Sequence, residues 1–317
     1  MLSRICILFL LSTSIAVAQQ NTVVQPFSDG SLAQLVNARD FTINSDGLEA
    51  YFSAQSPLGE LSAIMRIKYE NGAWSAPELV AFSGKYMDLE PFLSPDGLQL
   101  YFASDRPLNE NSDEPKDHDI WYVQRANKND NWSKPINMGS PVNTEHNEFY
   151  PSVSMNKNVY FTSDPPDSKG KDDIYFAAWE NGTYARPVSL SDSINSEGYE
   201  FNAYVSPNES FLIFSGYQRS DGHGSGDLYI SYQNADSTWS QAVNLGPEVN
   251  SGQMDYCPFV HLPTSTLYFT SRRSELGMTK REFNSAEDFL HIVSSYENGF
   301  SRIYQVDVTE FLPEQVK

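Results

Sequence analysis

Carboxylates are the residues of this chain most able to do chemistry, and four of them recur at matched spacing. Asp88, Glu148, Glu200 and Asp255 each stand three residues before a Pro or its equivalent. Two positions further along, the aligned residues are Asp40, Glu90, Tyr150, Asn202 and Cys257. A ring of such acids at the mouth of a channel could bind a cation, a basic ligand or a sugar. Two inward carboxylates roughly 5–9.5 Å apart could also cleave a glycosidic bond. The same spacing has a plainer meaning. Asn143, Asn195 and Asn250 each precede an acid by five residues, so acid and Asn together could satisfy the backbone of a turn. Recurrence in copy after copy favours that structural role for Asp88, Glu148, Glu200 and Asp255, because a site usually breaks repeat symmetry. Asp119, Asp173 and Asp227 read the same way, as caps of a loop entering a strand.

Asymmetric features are the better site candidates, and they fall in three loops: 105–118 with Arg106 and His118, 217–227 with His223, and 272–288 with Arg272, Arg273, Lys280 and Arg281. Long loops on a rigid scaffold are where binding specificity concentrates. Several chemistries are excluded. Gly222, Gly224 and Gly226 precede no helix and no Lys-Ser/Thr, so they form neither a dinucleotide fingerprint nor a P-loop. The segment Asp221–Asp227 has too few carboxylates for an EF-hand. The five His residues lack metal-ligand spacing, and no G-x-S-x-G elbow occurs. No cofactor follows from any motif; calcium or another cation is compatible with the acids without being specified by them. No catalytic residue is assigned.

The elements that would position these residues repeat. Ala50-Tyr-Phe-Ser53, Leu100–Ser104, Val159–Ser163, Leu212–Ser215 and Leu267–Ser271 are versions of one strand, with Phe52, Phe102, Phe161, Phe214 and Phe269 spaced by 50, 59, 53 and 55 residues. Before it stands a strand ending in turn chemistry such as Pro95-Asp96-Gly97. After it comes a third strand beginning Asp119-Ile-Trp-Tyr122, Asp173-Ile-Tyr-Phe176 or Asp227-Leu-Tyr-Ile230, then Asn71-Gly72, Asn181-Gly182 or Asn298-Gly299, a strong hairpin signal. A fourth strand is expected around Trp74, Trp132, Tyr184 and Trp239, whose aromatics read as packing between units. Four short strands repeated about five times, with no convincing amphipathic helix between them, predict an all-β fold, a single β-propeller of about five blades, with a sixth, degenerate blade left open.

Ahead of the repeat, Arg4, the apolar run Ile5–Leu11 and Ala16-Val-Ala18 have the layout of a secretory signal peptide. Residues 1–18 are therefore expected to be removed, 19–37 to be an N-terminal segment able to close the ring, and 38–310 to be the propeller. Beyond the leader only Cys257 remains, which excludes an internal disulfide and reads as a small buried apolar residue. The formal net charge of −20 argues against nucleic acid, and no later apolar run is long enough for stable membrane insertion by a helix.

Glu90-Pro-Phe-Leu-Ser-Pro-Asp-Gly97, Tyr101–Pro107, Asp119–Tyr122, Trp132-Ser-Lys-Pro135 and Asn137–Thr144, echoed by Asn244–Ser251, resemble the WD40-like β-propeller repeat of exported bacterial proteins. This is the PD40 class, to which the propeller of the Tol-system protein TolB is also similar. The likeness runs over residues 38–305. The third and fifth copies depart from it, with Met155-Asn-Lys157 and Leu262-Pro-Thr264 in place of the Pro-Asp-Gly turn. The expectation is an exported, periplasmic or extracellular binding module without catalysis, its partner an envelope protein or a glycan. The alternative is a glycan hydrolase using channel-facing carboxylates, among which Asp40, Glu90, Glu148 and Glu200 are the candidates.

Overall fold

The structure is a computed structural model that describes residues 23–27, 32, 34–109, 111–112, 114–277 and 282–314. The leader 1–18, Lys280 and Arg281 lie outside the described residues. Five antiparallel units built on four strands each, the first with the extra short strand Ala73–Trp74, radiate from one axis. The inner strands are Asn37–Ile43, Asp88–Leu93, Glu148–Val153, Tyr199–Val205 and Asp255–His261. The second strands are Glu49–Gln55, Gln99–Ser104, Val159–Ser163, Phe211–Tyr217 and Thr266–Ser271, and they carry the repeated Tyr-Phe pair. Aromatic and β-branched residues suit a pleated surface. Here both faces of the second strand are covered by adjoining blades, so it is buried almost throughout rather than alternating.

The fifth unit is completed by the start of the chain. Gln25–Pro26 pairs antiparallel with Arg302–Asp307 and forms its outermost strand. Phe27 follows, 4.5 Å from Phe41 and 5.4 Å from Trp74 between ring centroids, so the closing segment is anchored in the first blade as well. The count is five blades and not six.

The Asn-Gly pairs do what their chemistry demands in two places. Asn71 and Gly72 have φ of 55° and 84°, Asn181 and Gly182 of 52° and 86°, the double positive φ of a tight hairpin. The outer strands begin later than the sequence suggests: they are Glu78–Leu79, Ile136–Asn137, Val188–Ser189 and Val243–Asn244. The aromatics before them serve as wedges. Trp132 meets Tyr51 of the preceding blade edge-on at 6.1 Å and its Nε1 donates to the Tyr51 hydroxyl at 2.9 Å. Trp239 meets Tyr160 in the same way at 6.2 Å. Such pairs contribute about 0.5–1.5 kcal/mol each beyond area burial.

The segment 272–288 is not wholly loop. Ala286–Val293 is an α-helix, capped by the Ser285 side chain, which accepts from the Asp288 amide at 3.0 Å. The expectation of no helix between strands fails here. The Ser285-x-x-Asp288 cap and the acidic first turn were a local signal that the repeat pattern overshadowed.

Candidate functional site

Each inner strand carries a bulge at the same place. Pairing with the second strand shifts register between Arg39 and Thr42, Leu89 and Phe92, Phe149 and Ser152, Phe201 and Tyr204, and Tyr256 and Phe259. The bulged residues, Asp40, Glu90, Tyr150, Asn202 and Cys257, all have left-handed φ of 47–61° without a glycine among them. Such strain costs energy at every position, and in folded proteins it concentrates where it re-aims a side chain. The backbone is thus five-fold repeated while the side chains presented to the axis are five different types.

Arg39 ties this ring together. Its Nε donates to Asp40 Oδ1 at 2.6 Å and its Nη2 to Glu90 Oε1 at 2.9 Å. Its guanidinium lies 5.1 Å over the Tyr256 ring. Glu90 also accepts from the Tyr150 amide at 2.8 Å and from Asn202 Nδ2 at 3.3 Å. The Tyr150 contact has a sequence cause. The Glu90, Asn202 and Asp40 amides donate to Ser53, Thr162 and Thr270 of the preceding blade. The matching position before Tyr150 is Ala103, which has no hydroxyl, so the Glu90 carboxylate takes that place. Burial raises the Glu90 pKa to about 7 against the opposing pull of Arg39. Burial works against the Arg39 charge too, but Asp40, Cys257, Tyr256 and Glu90 outweigh it and raise its pKa. Cys257 is fully buried, as expected of a small apolar residue; its thiol donates to Asn202 Oδ1 at 3.3 Å and is pushed up in pKa by burial.

Above this ring opens a cavity of about 1420 Å³, walled by Arg39, Glu90, Phe149, Phe201, Tyr256 and Arg272 among others. Below it the axis is blocked by Phe92, Tyr204 and Phe259, whose ring centroids lie 5.2–6.5 Å apart. The cavity is therefore a cup with a polar floor. Its mouth is on the face where the second strands end. A smaller, largely apolar hollow of about 330 Å³ opens on the opposite face.

The four aligned acids lie elsewhere. Asp88, Glu148, Glu200 and Asp255 are fully buried and do not line the cup. Glu148 accepts from the amide and hydroxyl of Thr144, Glu200 from those of Ser196, and Asp255 from those of Ser251, at 2.6–3.1 Å. Asp88 accepts from Ser83, Ser104 and Arg106. Asn143, Asn195 and Asn250 bond both backbone groups of Ile120, Ile174 and Leu228 in the neighbouring third strand. Asp173 and Asp227 each accept from two loop amides ahead of the third strand, while Asp119 instead holds Lys116 and Asn137.

Most of the loop candidates are likewise committed internally. Arg106 pairs with Asp88 and lies 4.9 Å over Phe102. Arg273 pairs with Asp255 at 3.1 Å and lies 4.6 Å over Tyr304. His223 gives its amide to Asp227, and a Cβ on neighbouring Gly224 would stand 2.1 Å from the Gln253 carbonyl, so this Gly-rich loop is built for close backbone contact. His118 stacks on Phe149 at 4.9 Å, and burial lowers its pKa. Arg272 is exposed at the rim of the cup, with Nε on Ser301 at 3.3 Å. Sequence reasoning overlooked Arg39 and the aromatic wall. Arg39 was findable: it is the basic residue directly before an aligned bulge position, where the other copies have Leu89, Phe149, Phe201 and Tyr256. Among the described residues no three His, Cys, Asp or Glu side chains converge as a metal-ligand set.

No family model and no curated protein matches the chain. Solved structures do. A GH62 hydrolase in complex with xylotriose superposes with a TM-score of 0.55 at 11% identity, over 90% of this chain and 96% of that one. A GH43 endo-arabinanase from Bacillus licheniformis gives 0.50 at 13%, over 87% and 96%. A putative TolB from Agrobacterium tumefaciens gives 0.48 at 14%, over 78% and 74%. At these identities the likeness to the GH62 hydrolase and the GH43 endo-arabinanase bears on the fold alone. The comparisons nonetheless correct the expectation of a module without catalysis: chains sharing this fold over about nine-tenths of its length are glycoside hydrolases. That expectation rested on the repetition of the aligned acids, and the axial pair Asp40 and Glu90 does not repeat.

Proposed function

We propose that the protein is a glycan hydrolase whose reaction takes place on the floor of the axial cup, with Glu90 as proton donor and Asp40 as the partner carboxylate. One observation carries this reading: in a backbone repeated five times, two adjoining bulges alone present carboxylates to the axis, and one of them lines the cavity. A general acid works best with a pKa near the operating pH, and burial brings Glu90 into that range. Asp40 holds Arg39, and Arg39 holds Glu90 Oε1, so the carboxyl group keeps a fixed aim. Asn202 joins Arg39 on Oε1, and the Tyr150 amide holds Oε2.

The test is hydrolysis of arabino-, xylo- and cello-oligosaccharides, followed by product chromatography, for the parent protein and Glu90→Gln. Release of shorter sugars that Glu90→Gln loses supports the reading. Cleavage that survives in Glu90→Gln overturns it, and so does failure of the parent on every substrate. We further read the chain as exported, with residues 1–18 removed, and as a PD40-type propeller over 38–310. The leader pattern and the repeat residues support this, and N-terminal sequencing of the protein from a secreting host checks the cleavage point.

A further inference from the structure

The start of the inner strand and the end of the second strand make one corner of each blade, and blade 4 differs there from blades 2, 3 and 5. In blade 2 the corner is closed by a hydrogen bond from the Met87 amide to Asp105, and in blade 3 by bonds from Asn147 to Asp164 at 3.2 and 3.3 Å. In blade 5 the Arg272 amide donates to the Met254 carbonyl. In blade 4 the corresponding residues are Tyr199 and Tyr217. They are direct register partners, with ring centroids 5.7 Å apart and planes at 86°. Both rings are half-buried. Next to them stands Asp172, whose backbone is pinned by the Glu200 amide at 3.0 Å and whose half-buried carboxylate makes no hydrogen bond among the described residues. The loop that carries Asp172 is locked in place, since a Cβ on Gly170 would lie 2.2 Å from the Gly198 carbonyl. Tyr199, Tyr217, Phe201 and Asp172 line a hollow of about 300 Å³, and the last three of these also wall the axial cup, so the two spaces adjoin.

The Lys171 ammonium lies 5.2 Å over the Tyr199 ring, which leaves Tyr217 as the ring to meet a ligand. We propose that this corner is a second sugar subsite, in which Tyr217 stacks against a sugar face and Asp172 accepts its hydroxyls, so that the ligand is an oligosaccharide running from the axis across the junction of blades 3 and 4. An aromatic platform beside a fixed, unpartnered carboxylate matches a sugar ring, with its apolar C–H face and its rim of hydroxyl donors. Burial, with Asp164 and Asp173 nearby, raises the Asp172 pKa. The inference rests on the reading of the cup as a glycan site, but binding tests it separately from cleavage.

The experiment is calorimetric titration of xylo- and arabino-oligosaccharides of one to six units into Glu90→Gln, and into the same protein carrying Tyr217→Ala or Asp172→Asn. Affinity is expected to rise with chain length in Glu90→Gln, and Tyr217→Ala should remove about two- to tenfold of that gain. Asp172→Asn is near-isosteric and guards against loss of fold; it should weaken the longer sugars and leave the monosaccharide unchanged. Equal length dependence in all three proteins overturns the subsite. If the length gain depends on Tyr217 while the parent cleaves nothing, the hydrolase reading falls and the subsite stands. If cleavage depends on Glu90 but no length gain appears, the subsite falls alone, and absence of all binding overturns both.

Discussion

Two sets of polar side chains lie two residues apart on the inner strands, the outer on four of them and the inner on all five, and they follow opposite rules. The outer ring, Asp88, Glu148, Glu200 and Asp255, repeats its chemistry and faces the turns between blades. Three of its acids have an Arg partner from the end of the second strand: Arg106, Arg219 and Arg273. The inner ring, Asp40, Glu90, Tyr150, Asn202 and Cys257, repeats its backbone and varies its chemistry. What builds the fold must recur in each blade, whereas what acts on a ligand off-centre on the axis has no reason to recur. In a repeat protein the constant backbone with inconstant side chains is therefore the place to look for a site.

The comparison can be broken by mutation. Glu90→Gln should lower kcat roughly 10²–10⁴-fold while leaving the thermal midpoint within a few degrees, measured by hydrolysis and by scanning calorimetry on the same sample. Asp88→Ala should do the reverse. It strands the Arg106 guanidinium in a buried setting, costing about 3–5 kcal/mol in denaturant titration, with kcat of the folded fraction little changed. Large loss of activity without loss of stability at Asp88 would dissolve the distinction between the rings.

Glu148 sharpens it. Blade 3 has Pro165 where blades 2 and 5 supply an Arg, and among the described residues Glu148 is held by Thr144, so burial raises its pKa to about 7. The folded protein then holds that proton more tightly than the unfolded chain. Its stabilising contribution is full below pH 4.5 and is lost as pH rises to about 7. Stability of Glu148→Gln relative to the parent should therefore improve across that window, read from unfolding midpoints at a series of pH values. The smallest effect belongs to the wedges: Trp132→Phe removes one hydrogen bond to Tyr51 and should cost about 0.5–1.5 kcal/mol.

The scaffold was legible because its requirements are local. Positive φ in a tight turn selects Asn71-Gly72, and a wedge between blades selects Trp132, so both recur in the sequence with their strands. The bulges were not legible as bulges. Asp40, Glu90, Tyr150, Asn202 and Cys257 share a strained conformation imposed by pairing with the second strand, and none is the glycine that would announce it. Asp40 and Glu90 stood out only as acids, without the ion pair through Arg39 that joins residues 39 and 90. The platform at Tyr199 and Tyr217 was hidden for a related reason, since opposite partners in a ladder are distant in the chain.

The pairing of Gln25–Pro26 with Arg302–Asp307 makes completion of the ring wait for its last blade. During synthesis the closing segment emerges well before its partner, so the fifth sheet cannot be finished until Arg302–Asp307 is available. Until then the first blade has one uncovered flank. Closure thus works as a check for length: a prematurely ended chain has strands and blades but no circle, and offers its apolar edge to proteases.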